Sequence, residues 1–190
     1  FGSTPSLKAA GYKSPNEKLN LAAIGAGGQP AADLRIAALG ENVVALADCN
    51  WARGEESFKR FPDAKRYKDY RQMLDQHKEI DAVVVGPPDH MHATCAVACM
   101  QLGKHVYCEK PLTRTSWEAR FLTEAAAKYK VATQMGNQGY SHDATRVACE
   151  ILWSGEIGDV TEVHAWSGRP GWPQGMPKVS APTAVPETLD

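Results

Sequence analysis

What this chain lacks narrows it first. It has no apolar run near the ~18 residues that a membrane-spanning helix needs. Lysine and arginine (21) almost balance aspartate and glutamate (22), and a net charge of −1 leaves no basic excess for nucleic acid or an anionic membrane. Five cysteines (Cys49, Cys95, Cys99, Cys108, Cys149) are odd in number and contain no CxxC pair, which argues against a disulfide framework. Internal repeats and low-complexity tracts are also missing. The chain opens on Phe1 rather than methionine, and FGSTPSLKAAGYKSPNEK is polar, without a signal peptide's apolar core. Residues 1–17 are therefore expected to form an exposed arm. The default compartment is the cytoplasm, or the exterior if a signal was removed ahead of Phe1.

A metal site is not expected either. His92, Cys95 and Cys99, with His90 just ahead, share one helix face at i, i+3 and i+7. Ala96 and Leu102 extend the same stripe, however, and a free cysteine behaves as a small buried hydrophobe. Core packing is the expectation.

What is present is a glycine-punctuated α/β pattern. At 190 residues, with 43% hydrophobic and 23% charged residues, the chain can form one well-cored domain and part of another. Leu21 to Ile24 reads as an apolar strand running into Gly25-Ala26-Gly27-Gly28, then a helix-like stretch. A second strand, Val43 to Ala47, follows, and Asp48 ends it 21 residues beyond Gly27. That order and spacing match the first βαβ unit of a dinucleotide-binding domain. Glycines let the backbone turn tightly and approach a pyrophosphate without an intervening Cβ. The helix that follows turns its unpaired N–H groups toward phosphate charge, and the acid accepts hydrogen bonds from ribose hydroxyls. Gly25, Ala26, Gly27, Gly28, Gln29, Asp48, Cys49 and Asn50 are therefore candidate cofactor contacts. Pro30 stands where G-x-G-x-x-G has its third glycine, and proline is tolerated in a helix's first turn. An ordinary glycine-rich βα turn is the alternative.

Further along, Trp51 to Phe61 reads as a helix, Arg66-Tyr67 as a short strand, and Asp69 as the N-cap of Tyr70 to His77. IDAVVVG (Ile80 to Gly86) is a continuous apolar strand stopped by Pro87 and Pro88. A helix over Asp89 to Leu102, a strand over His105 to Cys108, a helix over Trp117 to Tyr129 and a strand over Val131 to Met135 complete a doubly wound parallel sheet. These elements make residues 18–139 one domain. Residues 140–190 are expected to hold a helix (Asp143 to Trp153), an alternating strand (VTEVHAW, Val160 to Trp166) and the start of a second α/β domain.

GPPDHMH (Gly86 to His92), CEKPLT (Cys108 to Thr113), MGNQGYSHDATR (Met135 to Arg146) and the strand after GEIGDV resemble the Gfo/Idh/MocA family of oxidoreductases, over about Lys18 to Trp166. The resemblance implies a Rossmann domain followed by an α/β domain with a large antiparallel sheet, which commonly builds a homo-oligomer interface. It implies a bound nicotinamide cofactor and a sugar-, polyol- or cyclitol-like substrate. By match of motif, Lys110 is the catalytic lysine beside the nicotinamide and the reacting hydroxyl. Gly86, Pro87, Pro88, His92, Glu109, Asn137 and Gln138 become further cofactor contacts, and His142 a substrate contact. A helix-capping or packing histidine is the alternative for His92, and a loop amide satisfying turn backbone for Asn137 and Gln138. Asp48 favours NAD over NADP. The family's aspartate–histidine pair of the C-terminal domain is not matched, since Asp159 and His164 have the wrong spacing.

The residues themselves agree with a role for Lys110. It follows a strand at the carboxyl edge, where open α/β sheets bind ligands. An ammonium there stabilises alkoxide character as hydride leaves carbon. A surface lysine in a strand-end turn is the plain alternative. Two other functions stay open at this point: an NAD-dependent glycosidase that oxidises its substrate transiently, and a non-catalytic nucleotide-binding module.

Overall fold

The computed structural model describes residues 17–166 and 184–189. Residues 1–16 of the expected arm and 167–183 of the glycine- and proline-rich stretch lie outside them. The described residues fall into two compact units. One runs to Gly136 and resumes at Glu187; the other runs from Asn137 to Pro186.

The first unit is a six-stranded parallel sheet. Its strands are β1 (Asn20–Ile24), β2 (Asn42–Ala47), β3 (Lys65–Tyr67), β4 (Ala82–Val85), β5 (His105–Glu109) and β6 (Thr133–Gly136). Their spatial order is β3-β2-β1-β4-β5-β6, the Rossmann order with the reversal between β1 and β4. Helices α1 (Gln29–Ala37), α2 (Trp51–Arg60), α3 (Tyr70–Gln76), α4 (His92–Gln101) and α5 (Ser116–Tyr129) alternate with the strands.

The continuous apolar runs are explained by burial on both faces. Leu21, Ala23, Leu46 and Val84 pack on one side with Leu34 of α1 and Phe58 of α2. Ala22, Ile24, Ala45, Val83 and Val85 pack on the other with Met73 of α3, Ala96 and Cys99 of α4, and Leu122 of α5. Each fully buried large aliphatic side chain contributes about 1.5–3 kcal/mol. Local sequence sets the helix ends. The Asp69 carboxylate accepts the Arg71 N–H at 2.9 Å at the start of α3. Thr115 and Glu118 form a reciprocal capping box at the start of α5.

The helix expected from Asp89 is divided. Asp89–Met91 is a single 3₁₀ turn, and the α-helix proper starts at His92. The second unit, described by itself, holds a 3₁₀ turn (Gln138–Ser141) and α6 (Asp143–Ser154), closed by Gly155 at φ 76°. None of the residues of α6 is buried. Val160 to Trp166, expected as a strand, has no regular structure and is exposed throughout. Strand conformation is fixed by the ladder to a neighbour, and no described residue pairs with this segment. Among the described residues no helix is long and apolar enough to cross a membrane.

The cysteine stripe lies in the core. Cys95, Cys99 and Cys108 are buried together against β4 and β5. Burial pushes the Cys95 and Cys108 thiols up to about 12 and Cys99 higher still. They stay protonated at neutral pH and offer no thiolate. A thiol reagent added to native protein should modify exposed Cys49 quickly and half-buried Cys149 slowly, sparing the other three until denaturant is added. Rapid modification of four or five thiols would contradict this packing.

Candidate active site

The loops at the carboxyl edge of β1, β2, β4 and β5 bring most of the candidate residues together. The Gly25 N–H donates to Ala47 O at 2.8 Å, which ties the turn after β1 to the end of β2. Gly25 has φ 81°, and a Cβ there would lie 2.6 Å from Gly86 O. A Cβ on Gly27 would overlap the Arg53 carbonyl of α2. Gly28, at φ 64°, faces open space and is exposed just ahead of the first turn of α1.

Pro30 occupies the second position of α1 and is buried. Its ring fills the space that a Cβ on Gly86 would need. The close packing ordinarily given by a third glycine is therefore obtained from the other partner, Gly86 just past the end of β4, which has no side chain. Sequence reading named both residues without pairing them.

Asp48 acts on the same loop. One carboxylate oxygen accepts the Ala26 N–H at 2.9 Å and the other accepts the Asn50 N–H at 2.8 Å. The Ser57 hydroxyl of α2 donates to Ala26 O at 2.6 Å in the buried interior. Ala26 is thus held from two sides, and Ser57 is a contributor that sequence reading did not single out. Its only signal is that it lies on the helix that follows the acid. Cys49 is exposed, and the Asn50 Oδ1 is buried with no hydrogen-bond partner among the described residues. Gln29 donates to the buried Asp33 at 3.0 Å.

Beyond the topological reversal, β4 gives way to Gly86, Pro87 and Pro88. β5 delivers Glu109, which is buried, and Lys110, which is exposed. The Lys110–Pro111 peptide bond is cis. A Cβ at Gly136 of β6 would overlap the Glu109 carboxylate as it lies, so that carboxylate would have to shift. His92 begins α4, 1% exposed, with Nδ1 2.6 Å from Pro111 O and Nε2 2.9 Å from Pro87 O. Asn137, Gln138 and His142 belong to the second unit. There Asn137 precedes the 3₁₀ turn, while an exposed His142 precedes α6 without a side-chain cap bond.

This cradle fits a dinucleotide. Two glycines are closed in by backbone, a third opens to solvent at a helix N-terminus, and a carboxylate stands at the end of β2. Residues 19–137 match the family described as an oxidoreductase family with an NAD-binding Rossmann fold. The chain belongs to the Gfo/Idh/MocA oxidoreductases. An inositol 2-dehydrogenase of Salmonella typhimurium is 32% identical over 79% of this chain and 44% of its own length. A levoglucosan dehydrogenase of Pseudarthrobacter phenanthrenivorans is 29% identical over 67% of this chain and 34% of its own. An NAD-binding oxidoreductase of Klebsiella pneumoniae superposes with a TM-score of 0.61 at 34% identity, covering 74% of this chain and 40% of that one. The chain therefore spans less than half the length of these Gfo/Idh/MocA relatives, and its described first unit is the NAD-binding part.

Proposed function

We propose that this chain is the cofactor-binding part of an oxidoreductase that moves hydride between a sugar-, polyol- or cyclitol-like alcohol and nicotinamide. The observation that carries the reading is the position of Lys110. It is exposed just past the end of β5, on the edge that also presents the glycine loop after β1. The inositol and levoglucosan dehydrogenases among the relatives support the substrate class.

Gly25, Gly27, Gly28 and the first turn of α1 would hold the pyrophosphate, and Asp48 an adenosine ribose. When bound, NAD supplies the hydride acceptor. Lys110 would hydrogen-bond the substrate oxygen and stabilise negative charge building there as the C–H bond breaks. Buried Glu109 would fix the backbone from which the lysine projects. Asn137 and Gln138 would serve the nicotinamide side and His142 the substrate. A homo-oligomer through the C-terminal domain completes the proposal.

The test is stoichiometry in the full-length protein. NADH should accumulate in proportion to oxidised product; turnover without NADH would point to the glycosidase cycle instead, and binding without turnover to a nucleotide-binding module. The second test concerns Asp48. Its carboxylate should repel a 2′-phosphate, so titration calorimetry should give tighter binding of NAD than of NADP. Asp48→Ala should narrow that preference while loosening the loop through loss of the Ala26 and Asn50 bonds. Equal affinities in the unaltered protein would rule out this role for Asp48.

A further inference from the structure

We infer that His92 is a positioning residue that ties the loop carrying Lys110 to the loop after β4. The inference rests on the role proposed above for Lys110. The imidazole bridges two backbone carbonyls, one on Pro111 directly after Lys110 and one on Pro87 directly after Gly86. Gly86 in turn abuts Gly25 and Pro30. A single ring therefore connects the lysine's loop to the glycine loop through two contacts. With 1% of its surface exposed and both nitrogens facing backbone carbonyls, it turns no ring nitrogen toward a cofactor or substrate. His92 therefore acts through the lysine.

The two links are separable. Both partners are acceptors, so a ring with both protons serves both carbonyls and a ring with one proton serves one. The Nδ1 link to Pro111 is the one next to Lys110, and an asparagine amide places a donor near that atom. A glutamine amide reaches nearer to Nε2 and to Pro87. Phenylalanine keeps the ring volume and removes both donors.

The experiment compares His92→Phe, His92→Asn and His92→Gln in the full-length protein, with NAD and the substrate whose oxidation defines turnover. His92→Phe should lower kcat between about 10- and 100-fold, the scale of a displacement of about 1 Å at a reacting group. NAD affinity by calorimetry should change by less than about twofold, since no cofactor contact is lost. His92→Asn should recover more of kcat than His92→Gln. Nitrogen NMR of the unaltered protein should show the His92 Nδ1 carrying a hydrogen-bonded proton, a readout that does not depend on activity. Equal loss of kcat and NAD affinity would make His92 a cofactor contact and overturn the inference. Unchanged kcat in His92→Phe, or an Nδ1 without a hydrogen-bonded proton, would overturn it as well. If His92→Phe does not fold, the order of the amide variants and the NMR signals decide. Full activity in a Lys110 variant would instead defeat the catalytic role of Lys110, leaving the ring's two bonds untouched.

Discussion

Lys110→Met in the full-length protein is expected to lower turnover by about 10²- to 10⁴-fold, the range for a positioned proton-transfer or charge-stabilising group. Methionine keeps the length and apolar stem of the side chain and removes only the ammonium. Lys110 is exposed and no hydrogen bond to its ammonium is part of the described fold, so stability should hardly change. NAD binding should also persist, because the glycine loop and Asp48 lie after other strands. The informative result is thus a split: kcat collapses while calorimetric NAD affinity and melting temperature stay near their starting values. Unaltered kcat would remove Lys110 from the chemistry and leave the plain strand-end turn as its explanation.

Gly25→Ala should be strongly damaging to the cofactor loop. At φ 81° an L side chain costs about 1–2 kcal/mol by itself. The added methyl would also lie 2.6 Å from Gly86 O and 2.7 Å from Pro87 N, backbone atoms that cannot rotate away. Overpacking of that kind adds about 1–3 kcal/mol. Urea unfolding should therefore show a loss of about 2–5 kcal/mol, accompanied by loss of NAD binding. Gly28→Ala is the matched control. It has a positive φ but nothing within 4 Å of the added atom, so only the conformational cost applies. Equal destabilisation of the two variants would show that the contact with the β4 loop is not what makes Gly25 necessary.

Much of this was legible in the residues, for reasons that differ by element. The parallel sheet could be read because a strand buried on both faces must be apolar throughout, as Leu21–Ile24 and Ala82–Val85 are. Asp69 announced the start of α3 because its carboxylate can accept an N–H that the first turn leaves unpaired. The partners of the glycine loop were not legible. Ser57 and Arg53 meet it only through the path of α2, and the Pro30–Gly86 seat joins residues 56 apart. The same holds for His92. Its place in the motif was visible, whereas the carbonyl on each side of its ring is a property of two loops meeting. Val160–Trp166 failed in the other direction. Alternation is a local pattern, and a strand needs a neighbour that no local pattern supplies.

The strand order has a consequence for how the protein emerges from the ribosome. Central β1 pairs with β4, and Ile24 meets Val85 61 residues later. At about 5–20 residues per second, β1 waits about 3–12 seconds for that side to be synthesised. Its other edge is covered sooner, since β2 ends at Ala47. During the interval LAAI presents an open hydrogen-bonding edge with apolar side chains on both faces. The nascent chain is then most exposed to off-pathway association, although the glycine loop can already be tied to Ala47 and Asp48.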